Sequence, residues 1–263
     1  MGSLAMQTHT VLIVGGGSGI GEKVTQSIIR YSAAQVVVFG LHISDGIAAL
    51  QKTETGRLWS VKGDITSPED RQTALAVCIE KMGKIDSLVI SAGVMGEIQR
   101  VADQSPTGLR SDFEINFFGP MEMAQLIIPE LRKTKGRILI FSSSCDKNVH
   151  YAGWMHYCAS KAALTRAIEI LAWEERTLHV LGIYPGLTRS GMSPNLVQGK
   201  HAGVMYDEEV QKFQNWDKNG GFEPPEWCAT AAAKLALGLE AGGKSGTVAY
   251  YHELVPDCKD GFN

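Results

Sequence analysis

Tyr157 and Lys161 stand four residues apart in Trp154-Met155-His156-Tyr157-Cys158-Ala159-Ser160-Lys161-Ala162-Ala163-Leu164. That stretch has helical character, so both side chains fall on one helix face. A phenol ordinarily ionises near pH ~10. An ammonium beside it favours the phenolate and brings that value toward the range a general acid or base needs. The same spacing also describes a surface pair without chemistry, so the surroundings decide. Upstream, the apolar run Arg137-Ile138-Leu139-Ile140-Phe141 ends in Ser142-Ser143-Ser144. Hydroxyls there lie at the carboxyl edge of an α/β sheet, where such sheets bind ligands. A serine at that edge can donate to a carbonyl oxygen while Tyr157 protonates it. Strand register favours Ser143, 14 residues before Tyr157, over Ser144 at 13, and leaves Ser142 a structural part.

A second constellation follows the apolar run Val11–Val14: Gly15-Gly16-Gly17-Ser18-Gly19-Ile20-Gly21, with a helical pattern after it. Glycines let a strand turn tightly into a helix and let the backbone approach a pyrophosphate. The helix N-terminus then offers free N–H groups and its positive dipole end. A glycine turn alone also serves any tight strand-to-helix junction; its position at the first such junction points to a dinucleotide. The next strand ends Phe39-Gly40-Leu41-His42-Ile43, without the acid that would hold the ribose hydroxyls of NAD. This tilts the expectation toward NADP(H) over NAD(H), although no arginine replaces the acid. His42 and Ser44 are the nearest polar groups for a 2′-phosphate, or else plain loop residues. Asp64, in Lys62-Gly63-Asp64-Ile65, sits either against adenine or as an acid ahead of the helix near Ser67.

The elements that would position these groups alternate along the chain. Strands are expected at Val11–Val14, Val36–Phe39, Leu58–Val61, Leu88–Ile90, Ile138–Phe141, Val180–Tyr184 and Thr247–Tyr251, and helices near 19–31, 67–82, 111–134, 155–175 and 225–239. Several strands are continuously apolar, as strands buried on both faces are. The pattern specifies a Rossmann-like, doubly wound parallel sheet of about seven strands with helices on both faces. With 263 residues and no linker or repeat, residues 1–263 form one domain. Residues 187–224 break the rhythm and read as a substrate lid, and both termini, including the polar tail 252–263, read as loose.

Composition narrows the function classes. A net charge of −3 without a basic cluster argues against nucleic acid. Five scattered cysteines and seven histidines show neither a disulfide framework nor a metal-ligand spacing, so no metal is expected. No signal sequence or membrane span is visible, and the expectation is a cytoplasmic protein that does not bind membranes.

Taken in order, these motifs resemble the short-chain dehydrogenase/reductase family from about Val11 to Tyr251: Gly15-x-x-x-Gly19-Ile20-Gly21, Asp64, Ser91-Ala92-Gly93, Asn116, the serine run, Tyr157-x-x-x-Lys161 and Pro185-Gly186. The resemblance implies Tyr157 as acid/base and Lys161 on the nicotinamide ribose, lowering the tyrosine's pKa. It implies Ser143 as the carbonyl-orienting serine and Asn116 as holder of a helix kink and a relay water, or as a purely structural bend. Cofactor contacts would come from Gly15, Gly17, Ser18, Gly19, Ile20, Gly21, His42, Asp64, Ile65, Ala92, Gly93, Tyr157, Lys161, Pro185, Gly186, Thr188 and Ser190.

The chain departs from the family at Val14, where threonine is common, and at Ile90-Ser91, where two asparagines are usual; the second change is expected to touch stability. Ser190 keeps a hydroxyl in place of threonine. Gly153–Leu164 is similar to the branch of sepiapterin reductase and the fungal benzil reductases. Met192, Met205, Tyr206, Phe213 and Trp216, with Met95, His150, Tyr151 and Trp154, either line a cleft for a hydrophobic ketone or diketone or pack as ordinary core. His150 and His156 read as polar loop or surface residues. A homodimer or homotetramer through the helices at 111–134 and 155–175 is the family's expectation. Two other readings stay open: the same machinery used for isomerisation, dehydration or cyclisation, and a dinucleotide sensor without turnover.

Overall fold

The computed structural model describes residues 8–147, 149–189 and 193–262. Seven parallel strands, β1 (Thr10–Val14), β2 (Gln35–Gly40), β3 (Leu58–Lys62), β4 (Ser87–Ile90), β5 (Arg137–Phe141), β6 (His179–Tyr184) and β7 (Val248–Tyr250), lie in the order β3-β2-β1-β4-β5-β6-β7. The register is continuous, with Val11 beside Val36, Val14 beside Ile90 and Phe141 beside Ile183. Strand order reverses between β1 and β4, which opens a crevice at the carboxyl ends of those strands.

The continuous apolar runs have a direct cause. Alternate strand residues enter opposite cores: Val11, Ile13, Val36 and Val38 pack under helices α1 (Gly19–Tyr31) and α9 (Pro225–Ala236). Leu12, Val14, Val37 and Phe39 pack on the other face, under α3 (Pro68–Met82), α5 (Gly119–Thr134) and α6 (Met155–Glu174). Each such fully buried aliphatic side chain contributes about 1.5–3 kcal/mol.

Four features differ from the sequence reading. A helix, α2 (Asp45–Thr53), fills the β2–β3 connection, capped by the Ser44 hydroxyl, which accepts from the Ile47 amide at 3.1 Å. The single helix expected over 111–134 is α4 (Pro106–Phe113) and α5 joined by a π-helical segment, Glu114–Phe118, centred on Asn116. Residues 252–262 are not a loose tail. Helix α10 (Tyr251–Leu254) and the turn after it bury Leu254, Val255 and Cys258 in the first core, and Phe262 stacks on Tyr31 with ring centroids 4.7 Å apart. Finally, 187–224 carries helices α7 (Ser193–Val197) and α8 (Asp207–Lys218). Polarity hid the tail's docking, because a few apolar residues among charged ones suffice to anchor a short turn. No helix among the described residues is long and apolar enough to cross a membrane.

Candidate active site

At the crevice, the glycine turn is fixed by close backbone approach. Gly15 has φ +78°, and a Cβ on it would meet the Ala92 amide nitrogen at 2.6 Å. A Cβ on Gly17 would lie 2.0 Å from the His42 carbonyl oxygen, so this residue packs beneath the turn against the β2–α2 loop and does not line the cleft. The absent side chain of Gly17 makes room for the β2–α2 loop. Gly19 is the opposite case, with φ +55° and open space where a Cβ would stand. The Ser18 side chain caps no amide of α1, so the helix start lies open at the cleft edge formed by Ser18, Gly19, Ile20 and Gly21. This arrangement suits a dinucleotide pyrophosphate.

Other groups are set around the same cleft of about 940 Å³. Ser91 donates to the Val14 carbonyl at 3.1 Å and ties the ends of β1 and β4 together. His42 is exposed at the rim, whereas the Ser44 hydroxyl is spent on the α2 cap. Asp64 lines the cleft while one carboxylate oxygen accepts from the Thr66 amide and hydroxyl, both at 2.9 Å. It is not the cap of α3; Ser67 is, accepting from the Asp70 amide at 3.2 Å. Ile65, Ala92 and Gly93 follow along the wall, with Pro185, Gly186 and Thr188 opposite, after β6. The Thr188 hydroxyl donates to the Pro185 carbonyl at 2.5 Å. Ser190 and Met192 lie outside the described residues.

Between these walls stand Ser143, Tyr157 and Lys161. Ser143 ends the extended chain after β5, and its hydroxyl accepts from the Cys145 amide at 3.3 Å. Tyr157 and Lys161 rise from α6, with the Lys161 ammonium 6.0 Å from the Tyr157 ring centre and donating to the Phe141 carbonyl at 3.0 Å. Burial raises the Tyr157 phenol well above its ordinary range, and the neighbouring Ser143 hydroxyl acts in the opposite direction. Burial likewise lowers Lys161 to about 8. Desolvation is the largest influence on the phenol.

Ser142 is structural, bonded to the Thr165 hydroxyl at 2.6 Å. Asn116 is fully buried, and it stands behind the cleft rather than in it. Its carbonyl accepts from the Val94 amide at 2.8 Å, and its amide donates to the Val94 carbonyl and the Ser160 hydroxyl at 2.8 and 3.1 Å. It braces the β4 loop against α6.

The substrate end is apolar. Trp154, Tyr157, Phe213, Phe222, Leu196 and Ile98 are buried in one cluster, with Met95, Tyr151 and Trp216 packed against it. Phe213 stacks on Trp154 with ring centroids 5.8 Å apart. The Glu209 carboxylate accepts from the Ala152 amide at 3.1 Å and the Tyr206 amide at 3.0 Å, pinning α8 to the loop before α6. Met205 is buried in the cluster without reaching the cleft, and Tyr206 is exposed under the Arg100 guanidinium. Sequence reading missed Ile98 and Phe222, which lie in loops without periodicity, and Leu196, whose five-residue helix α7 is too short to show a stripe.

It also misjudged His156, which is wholly buried while His150 is exposed. The His156 ring bonds the Met95 carbonyl and lies 3.5 Å from the Asp112 carboxylate, holding the cleft-wall loop onto α6.

A doubly wound parallel sheet with a glycine turn at its first crossover and Ser, Tyr and Lys at the same edge defines a dinucleotide-dependent α/β oxidoreductase. Known proteins agree. The short chain dehydrogenase family model matches residues 9–201. The uncharacterized oxidoreductase YIR035C of Saccharomyces cerevisiae is 30% identical over 244 residues, 92% of this chain and 95% of that protein. Its crystal structure superposes with a TM-score of 0.89 at 27% identity, covering 97% of this chain and 100% of the other. The cis-1,2-dihydrobenzene-1,2-diol dehydrogenase of Pseudomonas putida is 29% identical over 235 residues, 87% of this chain and 82% of that enzyme. The chain belongs to the short-chain dehydrogenase/reductase family, enzymes that interconvert a CH–OH group and a carbonyl on small molecules with a nicotinamide dinucleotide.

Proposed function

We propose that this enzyme reduces a hydrophobic ketone or diketone to an alcohol with NADPH. The observation that carries the reading is the buried Tyr157 phenol lining one cleft with the Ser143 hydroxyl, with the glycine turn on one side and an aromatic wall on the other. A bound nicotinamide supplies the hydride. The Ser143 hydroxyl donates to the carbonyl oxygen and holds it, and Tyr157 delivers its proton to that oxygen as charge develops there. Burial that keeps the phenol protonated favours this direction at neutral pH. Lys161, anchored on the Phe141 carbonyl, holds the ribose and offsets the negative charge left on Tyr157. Asn116 keeps the Val94 backbone in place and acts by positioning.

Ser18 to Gly21 would cradle the pyrophosphate, with Asp64 and Ile65 at the adenine. The missing acid after β2 and the exposed His42 support NADP(H) over NAD(H). Trp154, Phe213 and Phe222 favour an aromatic substrate, in keeping with the likeness of Gly153–Leu164 to benzil-type reductases. Exposed Trp173 and Ile170 on α6 support a homodimer or homotetramer built on α5 and α6, which size-exclusion mass checks.

Absorbance of NADPH followed with a panel of aryl ketones and diketones tests the reading, with NADH in parallel. Substrate-dependent oxidation that Tyr157→Phe abolishes supports it. Full activity in Tyr157→Phe, or none with any carbonyl, defeats it.

A further inference from the structure

Helix α8 meets the approach to Tyr157 with a single face. Glu209, Lys212, Phe213 and Trp216 stand at i, i+3, i+4 and i+7, the spacing of neighbours along one side of a helix. Both Glu209 carboxylate oxygens face the Ala152 amide, at 3.1 and 3.2 Å. The Lys212 ammonium lies 5.3 Å from the Tyr151 ring centre. Phe213 packs 5.0 Å from Tyr151 and stacks on Trp154, with Trp216 edge-on behind it at 5.5 Å.

The segment Tyr151–Trp154 that receives these contacts has little freedom of its own. Gly153 has φ +86°, and a Cβ on it would meet Ile98 at 2.7 Å and Val204 at 2.9 Å. Its carbonyl accepts from the Gln99 amide at 3.3 Å. A group that fixes the Ala152 backbone therefore also fixes Trp154, three residues ahead of Tyr157, and the Ile98 side of the wall.

We infer that Glu209 is a positioning residue: through the Ala152 amide it sets how closely the aromatic wall of α8 fits a substrate. The consequence for substrate rests on the proposed reductase function. Starting α8 accounts for only one of the bonds that Glu209 makes, the 3.0 Å bond it accepts from the Tyr206 amide. The helix dipole does not need it either, because exposed Asp207 and Glu208 supply negative charge in the same turn. The bond to Ala152 is of another kind, charge-assisted and joining segments 57 residues apart. Apolar contact is non-directional and lets α8 shift along residues 151–154, whereas the carboxylate holds it in one register. At the far end of α8, the Arg189–Asp217 pair at 2.8 Å is a surface contact that contributes little.

The test compares the full-length wild type with Glu209→Ala, Glu209→Gln and the control Glu208→Ala. In Glu209→Ala the backbone amides of residues 151–154 should exchange with deuterium about tenfold faster, with β5 unchanged. Glu209→Gln keeps one accepting oxygen and should fall between Glu209→Ala and the wild type; Glu208→Ala should match the wild type. The Kd of benzil, read from tryptophan quenching, and the KM of aryl ketones should each rise about tenfold in Glu209→Ala, with kcat and the NADPH Kd held. Unchanged exchange at 151–154 in Glu209→Ala overturns the inference, as does an equal effect of Glu208→Ala. Faster exchange with an unchanged benzil Kd confines Glu209 to the fold and also overturns it, and so does a wild type that no aryl ketone quenches. A weaker benzil Kd in Glu209→Ala without turnover of any carbonyl by the wild type strikes the reductase reading alone.

Discussion

The two ends of the cleft are built by different means. At the glycine turn, backbone meets backbone: Gly15 against Ala92 and Gly17 against the His42 carbonyl leave no room for a methyl group. At the substrate end, side chains from four separate segments, carrying Ile98, Trp154, Phe213 and Phe222, pack into one apolar wall. On the proposed function, the first end would recognise a group common to all dinucleotides and tolerate little change, and the second would recognise shape through replaceable side chains. An enzyme can thus keep its cofactor while its substrate drifts, because the two kinds of contact share few residues.

The largest effect is expected where the ends meet. Tyr157→Phe should lower turnover about 10²–10⁴-fold, the usual span for a lost general acid, with cofactor affinity retained in a binding titration. Next, Gly17→Ala forces the β2–α2 loop away from the turn. A strain of about 1–3 kcal/mol would weaken NADPH binding about 10–100-fold and leave the KM of a saturating-cofactor assay alone. Phe213→Ala should do the reverse, raising the KM for an aryl ketone about tenfold with an unchanged NADPH Kd. If either variant moves both constants equally, the division between the ends fails. Leu41→Asp supplies the missing acid after β2 and is expected to shift preference from NADPH toward NADH by several-fold, read as a ratio of kcat/KM.

The smallest effect concerns stability. Lys161 titrates at about 8 when folded, below its ordinary 10.5. Between these values the unfolded chain binds more protons, so this group makes stability rise with pH across that window; below it, the buried charge costs stability in full. Subtracting the pH–Tm curve of Lys161→Met from that of the wild type should leave this upward slope. A flat difference would mean that Lys161 is solvated in the folded protein.

Much of this was legible in the chain. Seven expected strands became seven strands: the five inner ones are buried on both faces and leave a nearly unbroken hydrophobic signal, while the edge strands β3 and β7 are half-buried. The glycine turn, the serine run and the Tyr157–Lys161 pair were legible because each sits at a fixed offset from such a run. Helix α2 was not, since its single buried residue, Ile47, makes no stripe. The burial of His156 and the braced role of Asn116 were hidden too, because both depend on a loop 61 and 22 residues away.

By itself the sequence determined the sheet, its cofactor edge and the four-residue step from Tyr157 to Lys161, all local patterns that a single strand or helix enforces. Tertiary structure alone decided how deeply the phenol is buried, which glycine faces open space, and that His156 meets the loop at Met95. Each of these turns on desolvation or contact between segments that are remote along the chain, and no local pattern encodes how such segments close upon one another.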